Sequence, residues 1–410
     1  MESALDMHAS FITAMTYETG MLEVEDFPQT ESPVWILGKQ YSVLYDLAEL
    51  KKDVKSRLWL TYRKGFDPIG GSGPTSDQGW GCMLRCGQMM LAQSLICRHL
   101  GRDWRWTKDK YDPKYFEILR MFQDKRSAKY SLQVIASMGT SEGKAIGEWF
   151  GPNTISQVLR KLCVSDEWSN LVVHVALDNT VIIDDVFCLC KSSKKESNEP
   201  IPGVHAACAS ALLFNGHDPT AEGHDPSGED DSWRPLLLIV PLRLGLSEIN
   251  PVYIPFLKTC LTFKQSVGII GGKPNHAHWF IGFLEDELVY MDPHTTQPFV
   301  DVTQPGESDA SYHCSYSCRM PVSYLDPSVA VGFFCQTEAD FEDLCQCIRK
   351  YILHGQKTPM FELHQRRPRH WPPFDPYPSL SLHASASSSS DRLYDSEDEF
   401  ELIPHPNSLN

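Results

Sequence analysis

The run from Gly70 to Leu100 constrains this chain more than any other. GGSGPTSDQGWG is turn chemistry, and it feeds directly into CMLRCGQMMLAQSLICRHL, which is too long for a strand and too apolar for a surface helix. A buried helix opening at Cys82 is expected, with Gly101 just beyond Leu100 as its stop.

Several strand-like runs accompany that helix. LVVHVAL, Leu171 to Leu177, is rich in β-branched residues, and PLLLIVPLRLG reads as a fully buried strand. HWFIGFL, then Glu285 and Asp286, then ELVYMD read as two strands with a tight connection. VWILG, Val34 to Gly38, and VAVGFFC add further apolar runs. Apolar spacing at Leu47, Leu50, Val54 and Leu58 predicts an amphipathic helix. Thr154 with Gln157 ahead of VLRKLC, and Thr337 with Asp340 ahead of ADFEDLCQCIRKYIL, have the spacing of capped helix starts. The expected class is α+β, with a body over residues 33–365. Residues 1–32 are polar and acidic and read as a flexible arm. Residues 191–231 read as a flexible insertion, and residues 366–410, rich in Pro, Ser and acids, as a disordered tail.

The chain has 410 residues, enough for a large domain with accessory segments. Its formal net charge of -16 argues against nucleic acid or an anionic membrane surface as a main partner. There is no run of about 18 apolar residues and no charged leader before an apolar core, so a cytoplasmic protein is expected. The 13 cysteines are odd in number and scattered, and the pairs Cys188/Cys190, Cys314/Cys318 and Cys345/Cys347 lack zinc-site spacing. Reduced thiols, with no metal and no cofactor, are expected. Nothing in the sequence calls for an obligate partner subunit, and a monomer is expected.

A thiol attacks carbonyls as thiolate, so its ordinary pKa of about 8.5 must fall. A helix N-terminus favours negative charge, and Cys82 sits at one, after glycines that let a substrate backbone come close. Cysteines are also common core residues, and Cys82 taken alone is evenly balanced between the two roles. Cys86 shares its helix face and is read first as core, with a resolving partner under oxidation as the sharper alternative. A thiol also needs a base. His294 in YMDPHTTQ lies two residues from Asp292 at a strand end, so the two side chains point to one face. A carboxylate on one ring nitrogen fixes the tautomer and supports the imidazolium formed beside a thiolate. An ordinary Asp-Pro turn is the plainer reading of that triplet by itself. His99, His174, His276 and His278 are read as surface or satisfied core residues. For an oxyanion, the Cys82 amide and the Tyr62 hydroxyl, reaching from a helix end, are candidates.

The stretches SRLWLTYRKGF, GPTSDQGWGCMLRCGQMMLAQ, CRHLGRDWRW, GEWFGPNTISQVL, GGKPNHAHWFIG, MDPHTTQ and DPSVAVGFFC together resemble the autophagins, cysteine proteases of autophagy, and most of all the vertebrate A and B types. The likeness runs from about Val34 to Leu363. It implies a papain-like core with an added small α/β lobe and a catalytic set on Cys82, Asp292 and His294. Tyr62 matches the tyrosine tied to the oxyanion site. Trp149 matches the tryptophan that covers the substrate channel together with the loop Gly271, Gly272, Lys273, Pro274, Asn275. The implied substrates are ubiquitin-like autophagy modifiers of the GABARAP and light-chain-3 kinds, cleaved after a C-terminal glycine, and their phosphatidylethanolamine conjugates. Membrane contact would then come only through the lipidated substrate. In the tail, Phe400 and Ile403 of EDEFELI have the aromatic-x-x-aliphatic spacing of a modifier-binding motif. The alternative function is a catalytically weak protein that binds modifiers; a glutamine amidotransferase-like or acyltransferase enzyme is a third.

Overall fold

The computed structural model describes residues 26–108, 110–191, 233–303 and 308–374. Among them the strands are β1 (Pro33–Ile36), β2 (Lys39–Ser42), β3 (Arg63–Lys64), β4 (Val172–Val175), β5 (Thr180–Ile182), β6 (Leu236–Arg243), β7 (Ser266–Gly271), β8 (His278–Leu284), β9 (Glu287–Met291), β10 (Gln297–Pro298), β11 (Cys318–Pro321), β12 (Ser328–Cys335) and β13 (Glu362–His364). The α-helices are α1 (Val43–Lys55), α2 (Cys82–His99), α3 (Pro113–Met121), α4 (Leu132–Met138), α5 (Pro152–Cys163), α6 (Ile183–Cys190), α7 (Ile254–Thr262) and α8 (Glu338–Cys347).

A nine-stranded sheet organises the body, in the order β11-β9-β8-β7-β12-β6-β4, with the β1–β2 hairpin joined to β8. Its ladders are antiparallel apart from β4 beside β6. Both faces are covered, and the alternation of the strands shows it. In β6, Leu237 and Ile239 enter one apolar cluster while Leu236, Leu238 and Val240 enter the other. In β8, Trp279 and Ile281 face one way and Phe280 the other. The expectation of a fully buried strand at PLLLIVPLRLG holds for this reason.

Helix α2 crosses one face, touching β7, β8 and β12, and every residue from Cys82 to Ile96 is buried. It lies so close that a Cβ on Gly332 of β12 would stand 2.7 Å from the Met90 sulfur. Helix α5 packs on α2, β4 and β12 on the same side, while residues of α7 and α8 fill the opposite cluster.

Several local expectations shift. Helix α1 starts at Val43 and ends at Lys55, so Leu58 lies beyond it. Helix α5 is capped by Gly151 with Pro152 in its first turn, which places Thr154 inside the helix rather than at its cap. The Thr337 and Asp340 capping box is present at α8. Of the arm expected over residues 1–32, residues 26–32 are described and meet the body. Phe27 is buried under the Arg319 guanidinium, and the Thr30 hydroxyl donates to Glu285 at 3.0 Å. Within the tail expected from residue 366, Arg367 forms an ion pair with Asp185 at 2.6 Å. Lys191 and Trp233 pair as an isolated bridge, and Arg234 donates its backbone N–H to the Cys190 carbonyl at 2.8 Å, so residues 191 and 233 lie side by side. The insertion proper, the outer arm and the Phe400 and Ile403 motif lie outside the described residues. No helix among the described residues is long and apolar enough to cross a membrane.

Candidate active site

Gly81 caps α2 without a side-chain hydrogen bond, so the first-turn amides of the helix remain available beside Cys82, whose side chain is buried. Facing it is the turn after β9. That strand ends at Met291, so Asp292 and His294 are not brought together by strand alternation as expected. A local turn does it instead. Asp292 Oδ1 accepts the His294 backbone N–H at 2.9 Å and the ring Nδ1–H at 2.6 Å, with Pro293 spanning the gap. Nδ1 is thus committed to the carboxylate. Nε2 is buried without a hydrogen-bond partner, and the Cys82 thiol is near enough to help raise the ring's pKa.

The charges follow from this geometry. Burial pushes Cys82 up, but the His294 imidazole, the Tyr62 hydroxyl and the Asn275 backbone N–H outweigh it and bring the thiol below its ordinary value. Burial pushes His294 down, yet Asp292 and Cys82 raise it to about 9. Asp292 is pushed up by burial and brought down to about 2 by His294 and His278. The two shifts, thiol down and imidazole up, both favour the thiolate and imidazolium pair. Cys86, one turn into α2, has the opposite environment: burial, then Cys82 and Asp292, push its thiol well above the usual range.

Tyr62 is fully buried, in the extended segment between α1 and β3 rather than at a helix end. Its ring meets His294 edge-on at 5.5 Å, and its backbone N–H donates to Pro293 at 2.8 Å. Gly271 ends β7, and Lys273, Pro274 and Asn275 form an exposed turn whose last amide rests on Cys82. Gly272 has φ 134°, and a Cβ there would meet the His276 carbonyl at 2.2 Å, so only glycine makes this bend. A shallow groove bounded by Ser76, Gln78, Gly79 and Asn275 opens beside the loop. Trp149 is half-buried against the apolar cluster that contains Cys82, with its Nε1 buried and unbonded.

His278 is the residue that sequence reasoning missed. Its Nε2 lies 4.0 Å from Asp292 Oδ1, its ring is 5.3 Å from that of His294, and burial pushes it down to about 4, so it is neutral. The donor atoms of His278, Asp292 and His294 all lie within 4.8 Å of one another, a spacing that would also suit a metal. The short Asp292 to His294 hydrogen bond accounts for two of the three without one.

A thiol on a helix N-terminus, an imidazole oriented by a carboxylate and a set of nearby donors define a thiol hydrolase of the cysteine-peptidase class. Comparison with known proteins sharpens the class. Residues 47–347 match the peptidase C54 catalytic domain. The chain is 52% identical over 396 residues to "Cysteine protease ATG4B" of Gallus gallus, covering 95% of this chain and 98% of that one. It is 50% identical over 392 residues to "Cysteine protease ATG4A" of Xenopus laevis, covering 94% and 96%, and 47% identical over 415 residues to the Homo sapiens protein named "Cysteine protease ATG4A", covering 98% and 100%. The chain belongs to the peptidase C54 family, the autophagins, with the vertebrate A and B types as its kin, and its α+β body is of the papain-like kind.

Proposed function

We propose that this autophagy cysteine protease cleaves ubiquitin-like modifiers of the GABARAP and light-chain-3 kinds after a C-terminal glycine, and releases the same modifiers from phosphatidylethanolamine. The observation that carries the reading is His294 held between Asp292, at 2.6 Å, and Cys82 at the head of α2. In the acylation step the Cys82 thiolate attacks the glycine carbonyl carbon. Negative charge moves to the carbonyl oxygen, where the Cys82 amide and the Tyr62 hydroxyl are the proposed donors. The C–N bond then breaks, the departing nitrogen takes the His294 proton, and a thioester remains. Water, giving one proton to the now neutral His294, attacks the thioester and frees the glycine carboxyl group, whose remaining proton passes to solvent or to the released amine, with the thiolate and imidazolium restored. An amine of a peptide and an amine of a lipid headgroup leave by the same step, so one site serves both reactions.

The loop Gly271 to Asn275 and Trp149 are the proposed walls of the glycine channel. With the Asn275 amide resting on Cys82, the loop has to shift for a carbonyl to reach the sulfur. A residue without a side chain needs the least opening. Cys86 is buried as a thiol, so any redox part for it is limited to resolving an already oxidised Cys82. The enzyme is proposed to act as a cytoplasmic monomer that meets membranes only through a lipidated substrate, with Phe400 and Ile403 as an added modifier-binding motif. The test is a modifier precursor extended beyond its glycine. The parent yields the shortened product, Cys82→Ala yields none, and a precursor with Ala in place of that glycine is cut far more slowly. Cleavage by Cys82→Ala, or equal rates on both precursors, overturns the proposal.

A further inference from the structure

We propose that Asp77 is a positioning residue, which ties the start of the Cys82 helix to the segment that carries Tyr62 and so sets the alignment of thiol and imidazole. This rests on the reading of Cys82 as nucleophile. Asp77 lies in the turn before α2, and its side chain is fully buried. Its Oδ2 accepts Arg85 Nε at 2.8 Å, and its Oδ1 accepts Arg85 Nη2 at 3.0 Å and the Arg63 backbone N–H at 2.7 Å. Its carbonyl accepts the amides of Trp80 at 3.2 Å and Gly81 at 2.8 Å, which shapes the last turn before Cys82. Asp77 N–H in turn donates to the Arg63 carbonyl at 3.3 Å.

The residue next to Arg63 completes the path. Tyr62 N–H donates to the carbonyl of Pro293, which stands between Asp292 and His294, and Trp59 Nε1 donates to the Asp292 carbonyl at 2.7 Å. Asp77 therefore joins the nucleophile helix, through its carboxylate on Arg85 and its backbone carbonyl on Gly81, to the segment that grips the acid-base turn. Gly81 fits the same account. A Cβ there would stand 2.3 Å from Asp77 Oδ2, so the glycine makes room for this carboxylate rather than for a substrate backbone. A pair serving stability alone would be satisfied by Arg85 and its other partner, Asp124, which accepts at 2.9 and 3.2 Å. The bond from Asp77 to Arg63 lies outside that pair, and it is the one that reaches the reaction centre.

The experiment compares Asp77→Ala, Asp77→Asn and Asp124→Asn in the full chain. It reads kcat and KM on the glycine-extended precursor, iodoacetamide alkylation of Cys82 against pH, and the melting temperature. A reactive atom displaced by about 1 Å costs on the order of 100-fold, so Asp77→Ala should lose about that factor in kcat. KM should stay within about threefold, since the substrate's binding surface is untouched. Asp77→Asn keeps an oxygen for the Arg63 N–H and should recover about tenfold of the loss. Asp124→Asn should lower the melting temperature while keeping the parent kcat. An unchanged kcat in Asp77→Asn, counted per alkylatable thiol, or an equal fall in Asp124→Asn, overturns the proposal. Should Asp77→Ala fail to fold, those two Asn variants still decide. A parent that does not cleave, or Cys82→Ala that does, counts instead against the function proposed above.

Discussion

Replacing Asp292 by Asn removes the charge beside His294 while preserving the shape of the turn. In the parent, burial lowers His294, yet Asp292 and then Cys82 raise it from 6.5 to about 9. That rise corresponds to roughly 3 kcal/mol of preference for the imidazolium. Asp292 is the larger of the two partners, so its loss should remove about 2 kcal/mol, a factor of about 30 in the ion-paired form and in the rate that draws on it. The assay is kcat/KM on the glycine-extended precursor from about pH 5 to about pH 10. Activity in the parent should rise as Cys82 ionises and fall as His294 loses its proton near 9. In Asp292→Asn the falling limb should move down by about 1.5 pH units, leaving a narrow window near neutrality. A falling limb at its parent position, or a loss of equal size at every pH, would refute the reasoning. The first result would mean that the carboxylate does not hold the proton on His294. The second would mean that it acts only on geometry.

Three further outcomes are expected. The raised His294 pKa contributes stability that is fully present below 6.5 and is lost as pH rises through about 9, so the melting-temperature gap between parent and Asp292→Asn should close over that interval. Asp53, fully buried, pairs with Arg57 at 3.0 Å, Arg102 at 2.8 Å and Arg105 at 2.9 Å; Asp53→Ala leaves the fully buried Arg57 without its carboxylate and should cost about 3–5 kcal/mol in denaturant unfolding. Gly272→Ala puts a Cβ against the His276 carbonyl at 2.2 Å, which should lift the loop, withdraw the Asn275 amide and move the alkylation midpoint of Cys82 to higher pH than in the parent.

What the sequence discloses here depends on how local the cause is. Helix α2 was legible because its apolar run is long and a glycine turn precedes it, and the buried strands because they lack polar alternation. The Asp292 and His294 contact was legible as a contact but not in its cause, since the carboxylate accepts the backbone amide two residues on rather than sharing a strand face. Tyr62 was expected at a helix end. Its segment runs extended because its backbone bonds go to Pro293 and Gln297, partners more than two hundred residues away that no local pattern reports.

His278 shows a finer limit. Counting back from the tight connection, Leu284 opposes Glu287 and an unbroken ladder would set Trp279 opposite Asp292. A register shift between Phe280 and Gly282 sets Trp279 opposite Met291 instead, which leaves His278 beside the carboxylate. The hairpin itself was readable. The one-residue slip within it, invisible in residue types, decides whether an indole or an imidazole meets Asp292.

The meeting of Lys191 with Trp233 carries a practical meaning. Because the two ends are pinned side by side, and Lys191 is further anchored to Glu338 at 2.9 Å, this junction is a ready seam for protein engineering. A short glycine-serine connector, an affinity handle or a fluorescent reporter could be spliced in place of residues 192–232 with little added closure entropy. Strand β6 starts at Leu236, so its alignment with β4 and β12 is the quantity to check in such a splice.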